Sequence, residues 1–172
     1  MEKVSVKALL VDTSTNAPVV LLEGESSKDV MPIWIGQNEA LAISLKLQGK
    51  QFDRPLTHDL LKTVIDRLGQ KLTRVEIDHL EDSTYYATLH LENEEGEEER
   101  EIDSRPSDSI ALALRTGSPI FVDDNIFRKA AMESPFEEGL GDTDKSDFED
   151  FLNQRLELKK FKEYTDESDK ES

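Results

Sequence analysis

Three features of the 172-residue sequence predict a single α+β domain with a mixed, mainly antiparallel sheet and three to four packed helices. Strand-like stretches come in pairs joined by turn residues, Val4–Val11 with Val19–Leu22 and Leu72–Leu80 with Thr84–Leu91, which is hairpin patterning. Three further stretches, from Gln37, Thr57 and Pro106, switch to the 3.6-residue period of helices. The length suits one core plus a tail.

The first strand, Val4–Val11, is expected to place Val4, Val6 and Ala8 on one face. Asp12–Pro18 is a turn, because Asp, Ser, Thr and Asn side chains satisfy local backbone groups and Pro18 sets its own φ. Val19–Leu22 completes the hairpin and Gly24–Lys28 turns the chain again. Val30–Ile35 is β-branched and aromatic; Trp34 is core if the stretch is only a strand and turn, and with Phe52 it leaves surface for self-association if the domain is non-catalytic. Pro32 has no N–H for a ladder, so this strand belongs at an edge or bulge. Gly36 ends it, and Gln37–Leu47 is the first helix. Thr57–Leu68 is the clearest amphipathic helix, with Thr57 as cap, Leu60, Leu61, Val64, Ile65 and Leu68 as the apolar stripe, and Gly69 as stop.

Leu72–Leu80 alternates, with Leu72, Val75, Ile77 and a half-buried His79 inward, then turns at Glu81–Ser83. In Thr84–Leu91, Tyr85, Ala87, Leu89 and Leu91 share one face; neither His79 nor His90 is assigned a role. Glu92–Arg100 is too charged to bury and reads as a solvated hairpin loop, with Glu101–Asp103 a short strand beyond it. Pro106–Arg115 is the third helix, with Pro106 in its first turn, where a missing N–H is harmless. Ile120–Val122 is a strand, and Asp123–Met132 a short helix with Asp124 or Asn125 near its start. The domain is placed at residues 1–132, followed by a linker at 133–146, an amphipathic tail helix at 147–164 and a disordered tail at 165–172.

Composition narrows the function classes. No cysteine is present, which excludes disulfides and thiolate metal sites. No apolar run approaches the roughly 18 residues of a spanning helix, and the N-terminus lacks the pattern of a signal peptide, so no membrane association and a cytoplasmic setting are expected. Net charge is −17, with seven acids and one Arg between Glu92 and Glu101 alone. Phosphate affinity comes mainly from Lys and Arg, so this charge disfavours general nucleic-acid binding more than it disfavours a small local site.

Candidate chemistry sits at three turns. MPIWIGQNEA (31–40) puts Glu39 in a first helical turn, where a carboxylate suits a Mg²⁺ ligand or a base. RPLTHDLL (54–61) collects Arg54, Thr57, His58 and Asp59 at one helix start. A helix N-terminus attracts phosphate, Arg54 and Thr57 supply donors for it, and His58 is a proton shuttle. IDSRPSDSIALALRTGSPIFV (102–122) repeats the arrangement, with Asp103, Arg105, Ser107 and Asp108. The same residue types also make ordinary caps and ion pairs.

Taken together and in this order, the three motifs resemble the bifunctional nuclease domain family, formerly a domain of unknown function, over about residues 3–125. The resemblance implies a mixed α/β domain acting on RNA and DNA, an activity attached to plant members. It supplies no catalytic residues to carry over. Some relatives append a motif like that of excision-repair proteins, and Asp147–Tyr164 does not match it.

The leading expectation is a phosphodiester-cleaving enzyme for single-stranded RNA or DNA. His58, Asp59, Arg105 and Asp108 are its catalytic candidates; Arg54, Thr57 and Ser107 bind phosphate; Glu39 and Asp103 hold Mg²⁺ or another divalent cation that activates water. The alternative is a non-catalytic oligomeric or partner-binding domain in which the two Arg-Pro motifs are structural ion-pair turns. A homo-oligomer is expected in either case, and a small phosphorylated ligand at the two helix starts is a third reading.

Overall fold

The computed structural model describes residues 1–12, 14–93, 95–96, 99–134 and 161–163. Eight strands form one sheet: β1 (Glu2–Asp12), β2 (Ala17–Gly24), β3 (Val30–Trp34), β4 (Gln70–Glu81), β5 (Thr84–Asn93), β6 (Glu99–Ser104), β7 (Ile120–Val122) and β8 (Phe161–Glu163). Their order is β3-β2-β1-β7-β4-β5-β6, with β8 pairing β1. Every pairing is antiparallel except β4 with β7. The short β7 joins the two hairpin units: Ile120 lies opposite Val4 on one side and Val75 on the other. β3 is an edge strand, as Pro32 requires.

Among the described residues, four helices complete the α+β fold: α1 (Gln37–Leu47), α2 (Thr57–Arg67), α3 (Pro106–Thr116) and α4 (Asp124–Ala130). α3 packs on β4 and β5 and is flanked by α1 and α2. It is therefore buried on nearly every side, at Pro106, Ser107 and the run from Ser109 to Ala113, as expected of a central helix. Gly117 ends it in the left-handed conformation at φ 73. Ile110 and Leu112 meet Val20, Leu22, Met31, Ile43, Val75 and Ile77 in one core.

Several local expectations are corrected. A register shift between Val6 and Ala8 breaks the alternation of β1, so Leu9 and Leu10 are buried beside Val4 while Val6 and Ala8 are not fully buried. A second shift, between Ile77 and His79, turns His79 out to solvent against Tyr86, their ring centroids 5.5 Å apart. Trp34 is 45% exposed rather than core. Asp123, not Asp124 or Asn125, caps α4, accepting from the N–H groups of Asn125 and Ile126 at 2.8 and 3.2 Å. β5 and β6 extend to Asn93 and from Glu99, shortening the expected acidic loop. The tail helix expected at 147–164 lies outside the described residues except for Phe161–Glu163, which is a strand opposite Leu10–Asp12. No helix among the described residues is long and apolar enough to cross a membrane.

The largest departure is α2. It is turned so that His58 and Ile65 face the protein, which leaves Leu60, Leu61, Val64 and Leu68 exposed. Each forgoes much of the ~1.5–3 kcal/mol that burial of such a side chain contributes. Leu68→Gln, at a residue 72% exposed, is therefore expected to change stability by less than about 0.5 kcal/mol. Chemical denaturation of dilute protein checks this; a loss above 2 kcal/mol would mean that the stripe is packed.

Candidate active site

The two Arg-Pro turns deliver two helix N-termini to one cleft. In the first, the Asp59 carboxylate folds back to accept the Leu56 N–H at 2.9 Å. Leu56 is thus the residue that precedes the helix, and Thr57 is its first residue rather than its cap. In the second, Pro106 occupies the first turn of α3 after Arg105. α2 and α3 pack together, and His58 in the first turn of α2 meets Asp108 in the first turn of α3, so the partial positive charge of both helix starts borders the same region.

A chain of four side chains spans that region. His58 Nε2 lies 3.0 Å from Asp108 Oδ1. Asp108 Oδ2 accepts from Arg105 Nε at 2.7 Å, and Arg105 Nη1 reaches Glu39 Oε1 at 2.9 Å. A carboxylate only accepts, so Nε2 of His58 carries the proton directed at Asp108. Burial pushes the Asp108 carboxyl up, but hydrogen bonds from Arg105 and His58 outweigh burial and hold it below the ordinary carboxylate value. Gly36 leaves room for Glu39, since a Cβ there would overlap its carboxylate. The cleft has a volume of about 620 Å³ and is lined by Glu39, Thr57, His58, Arg105 and Asp108 on an apolar floor that includes Leu41, Ala42, Leu45, Phe52 and Leu56. His58 is nearly buried and Arg105 is 65% exposed, an arrangement with a sheltered base and an accessible cation.

The remaining sequence candidates lie elsewhere. Asp59 turns to Arg115, whose Nε donates to Asp59 Oδ1 at 2.7 Å. Arg54 is exposed and makes no hydrogen bond or ion pair among the described residues. Ser107 is buried and lines an adjacent cleft. Asp103 is exposed on β6, opposite Thr88. Among the described residues, no group of three or more His, Asp and Glu side chains is arranged to hold a metal ion. The carboxylates of the cleft, Glu39 and Asp108, are committed to Arg105 and His58.

Sequence reasoning missed two networks. Arg115, only 4% exposed, joins all three large helices: besides Asp59 it donates to the Ala111 carbonyl at 2.8 Å and the Ala42 carbonyl at 3.0 Å. Its available signal was a charge directly after the apolar run Ile110–Leu114. His90, buried on β5, has Nδ1 2.8 Å from Glu99 and Nε2 3.1 Å from Glu76, and Arg74 bridges the same two carboxylates at 2.7 Å each. This cluster ties the edge strand β6 to β4 and β5 and lies outside the cleft.

Known proteins match along the chain that builds this site. The model of the bifunctional nuclease domain matches residues 19–135. "Uncharacterized protein Rv1829" of Mycobacterium tuberculosis is 40% identical over 167 residues, covering 96% of this chain and 94% of that protein. "Bifunctional nuclease 1" of Oryza sativa subsp. japonica is 28% identical over 118 residues, 68% of this chain and 36% of the plant protein. "Bifunctional nuclease 1" of Arabidopsis thaliana is 25% identical over 114 residues, 66% of this chain and 35% of its own length. The chain thus spans about a third of the plant nucleases and nearly all of the mycobacterial protein. It belongs to the bifunctional nuclease domain family.

Proposed function

We propose that the chain cleaves phosphodiester bonds of single-stranded RNA and DNA in the cleft between the starts of α2 and α3. The observation that carries this reading is the chain Glu39–Arg105–Asp108–His58 at two converging helix N-termini. Arg105 uses Nε and Nη1 on the two carboxylates, and its Nη2, without a partner among the described residues, is offered to a phosphate oxygen. His58 Nδ1 accepts the proton of the attacking water, or of the 2′-hydroxyl in RNA, as the oxygen attacks phosphorus. Asp108 then stabilises the imidazolium, and the leaving oxygen takes its proton from water. The divalent cation expected from the sequence enters no step of this scheme.

Local charge supports the approach of a polyanion. From Lys46 to Lys71 the chain has six Lys and Arg against three Asp, a net +3 within a chain of −17. This segment carries α2 and borders the cleft. Binding is accordingly expected to weaken as salt rises.

The test is cleavage of labelled single-stranded RNA and DNA by purified wild type and Arg105→Ala. Loss of an electrostatic donor at the phosphate is expected to lower the rate by about 10²–10³-fold with the fold intact by circular dichroism. Equal rates, or no cleavage by wild type with or without divalent cations, would overturn the proposal.

A second reading, self-association, is favoured by the exposed stripe of α2. An antiparallel copy around a two-fold axis at Val64 places Leu60 opposite Leu68, so the stripe is complementary to itself. Light scattering of wild type and a Val64→Gln/Leu68→Gln variant separates a dimer from a monomer.

A further inference from the structure

Arg105 borders two clefts. Beside the first lies a second cavity of about 310 Å³, which His58 does not line; its walls include Ile33, Trp34, Thr84, Tyr85, Arg105 and Ser107. Its contents differ from those of the first: two aromatic rings, hydroxyl groups and one end of a guanidinium. Trp34 ends the edge strand β3, and its indole Nε1 donates to Asp12 Oδ2 at 3.3 Å. Asp12 is itself buried and fixed, its Oδ1 accepting from the N–H and hydroxyl of Ser14 at 2.9 and 2.6 Å. A large aromatic side chain is thus held by its polar edge while 45% of it stays exposed at a cavity wall.

Two chemical requirements meet in that cavity. A planar aromatic ring stacks on indole and phenol faces with little dependence on its identity. An anion attached to that ring is met by Arg105, the residue shared with the first cleft. A base, a sugar and a phosphate in that order have this form. We propose that the Trp34 cavity is a nucleobase subsite, holding the base of the nucleotide whose phosphate sits at Arg105. The proposal rests on the nuclease reading and adds to it: the scissile phosphate lies between a stacked base on the Trp34 side and His58–Asp108 on the other. Stacking, with no base-edge readout, makes the subsite tolerant of sequence and common to RNA and DNA.

Trp34 is the single tryptophan of the chain, so its fluorescence reports the subsite directly. Wild-type protein is titrated with adenosine 5′-monophosphate, ribose 5-phosphate and inorganic phosphate, by fluorescence and by isothermal calorimetry. The nucleotide is expected to quench Trp34 and to bind at least about tenfold more tightly than ribose 5-phosphate, the range of one stacked base. Trp34→Ala is expected to abolish that difference while leaving the affinity for inorganic phosphate unchanged; thermal unfolding checks its fold, and Trp34→Phe is expected to retain part of the preference. Equal affinity for the nucleotide and ribose 5-phosphate, or unaltered nucleotide affinity in a folded Trp34→Ala, overturns the subsite. Cleavage assays separate the two claims. A wild type that cleaves RNA without any preference for the nucleotide over ribose 5-phosphate sinks the subsite alone. Nucleotide binding through Trp34 in a protein that cleaves nothing keeps the subsite and sinks the hydrolytic reading.

Discussion

His58→Ala is expected to lower kcat/KM for single-stranded RNA and DNA by about 10²–10⁴-fold, the contribution of a positioned acid–base group. The reason is local. Asp108 lies 3.0 Å from Nε2 of His58, and in the proposed scheme it orients the ring so that Nδ1 takes up the proton. His58→Gln keeps a hydrogen-bonding group for Asp108 but cannot take up a proton, so it is expected to fold like wild type and remain inactive. Rates measured under single-turnover conditions, with thermal unfolding of each variant, check this. A fully active His58→Gln would remove His58 from the chemistry.

The second large effect concerns stability. Arg115→Met is expected to cost about 3 kcal/mol, the lower end of the range for breaking a buried ion pair, because Asp59 is 40% exposed and regains water. For a chain of this size that lowers Tm by roughly 10 °C. Arg115→Lys should recover little, since one ammonium cannot reproduce a planar group bonded to Asp59, Ala111 and Ala42 together. The interaction is also pH-dependent. Burial raises the Asp59 carboxyl, while the Leu56 N–H and Arg115 lower it by more, so its value in the folded state is depressed. A depressed carboxylate contributes its stability fully above about pH 4, the unfolded value, and loses it as pH falls through the folded value. The gap between wild type and Arg115→Met is therefore expected to narrow in acid, which denaturant titrations at neutral and low pH measure. A gap unchanged below pH 4 would mean that Arg115 acts through packing alone.

What the sequence reveals about this protein follows from the range of each interaction. Both hairpins and all three large helices are readable because their signals are local: alternation, turn residues, and Gly117 or Pro106 at a helix end. The junction through β7 is not readable, because Val4, Val75 and Ile120 are distant in sequence and three residues carry no pattern. α2 shows the limit of periodicity. Its apolar stripe is real, but contacts made by His58 with Asp108 and by Asp59 with Arg115 turn a different face of α2 to the protein. The same rotation explains the site. Four candidates, Glu39, His58, Arg105 and Asp108, meet because two helix starts converge. Asp59 is one residue beyond His58 and meets Arg115 in the last turn of α3 rather than the cleft, while Asp103 sits on a solvent-facing edge strand. The position of Trp34 stayed open in the sequence because apolar character predicts burial, whereas its indole N–H is anchored to Asp12 across the turn.

The most direct test of the central claim is a double-mutant cycle on RNA cleavage with His58→Ala, Asp108→Ala and their combination. If the two residues act as one base, Asp108→Ala loses activity and the double variant is no slower than His58→Ala, because the effects of groups that act together do not add. Losses that multiply, or an Asp108→Ala variant as active as wild type, would contradict a catalytic pair.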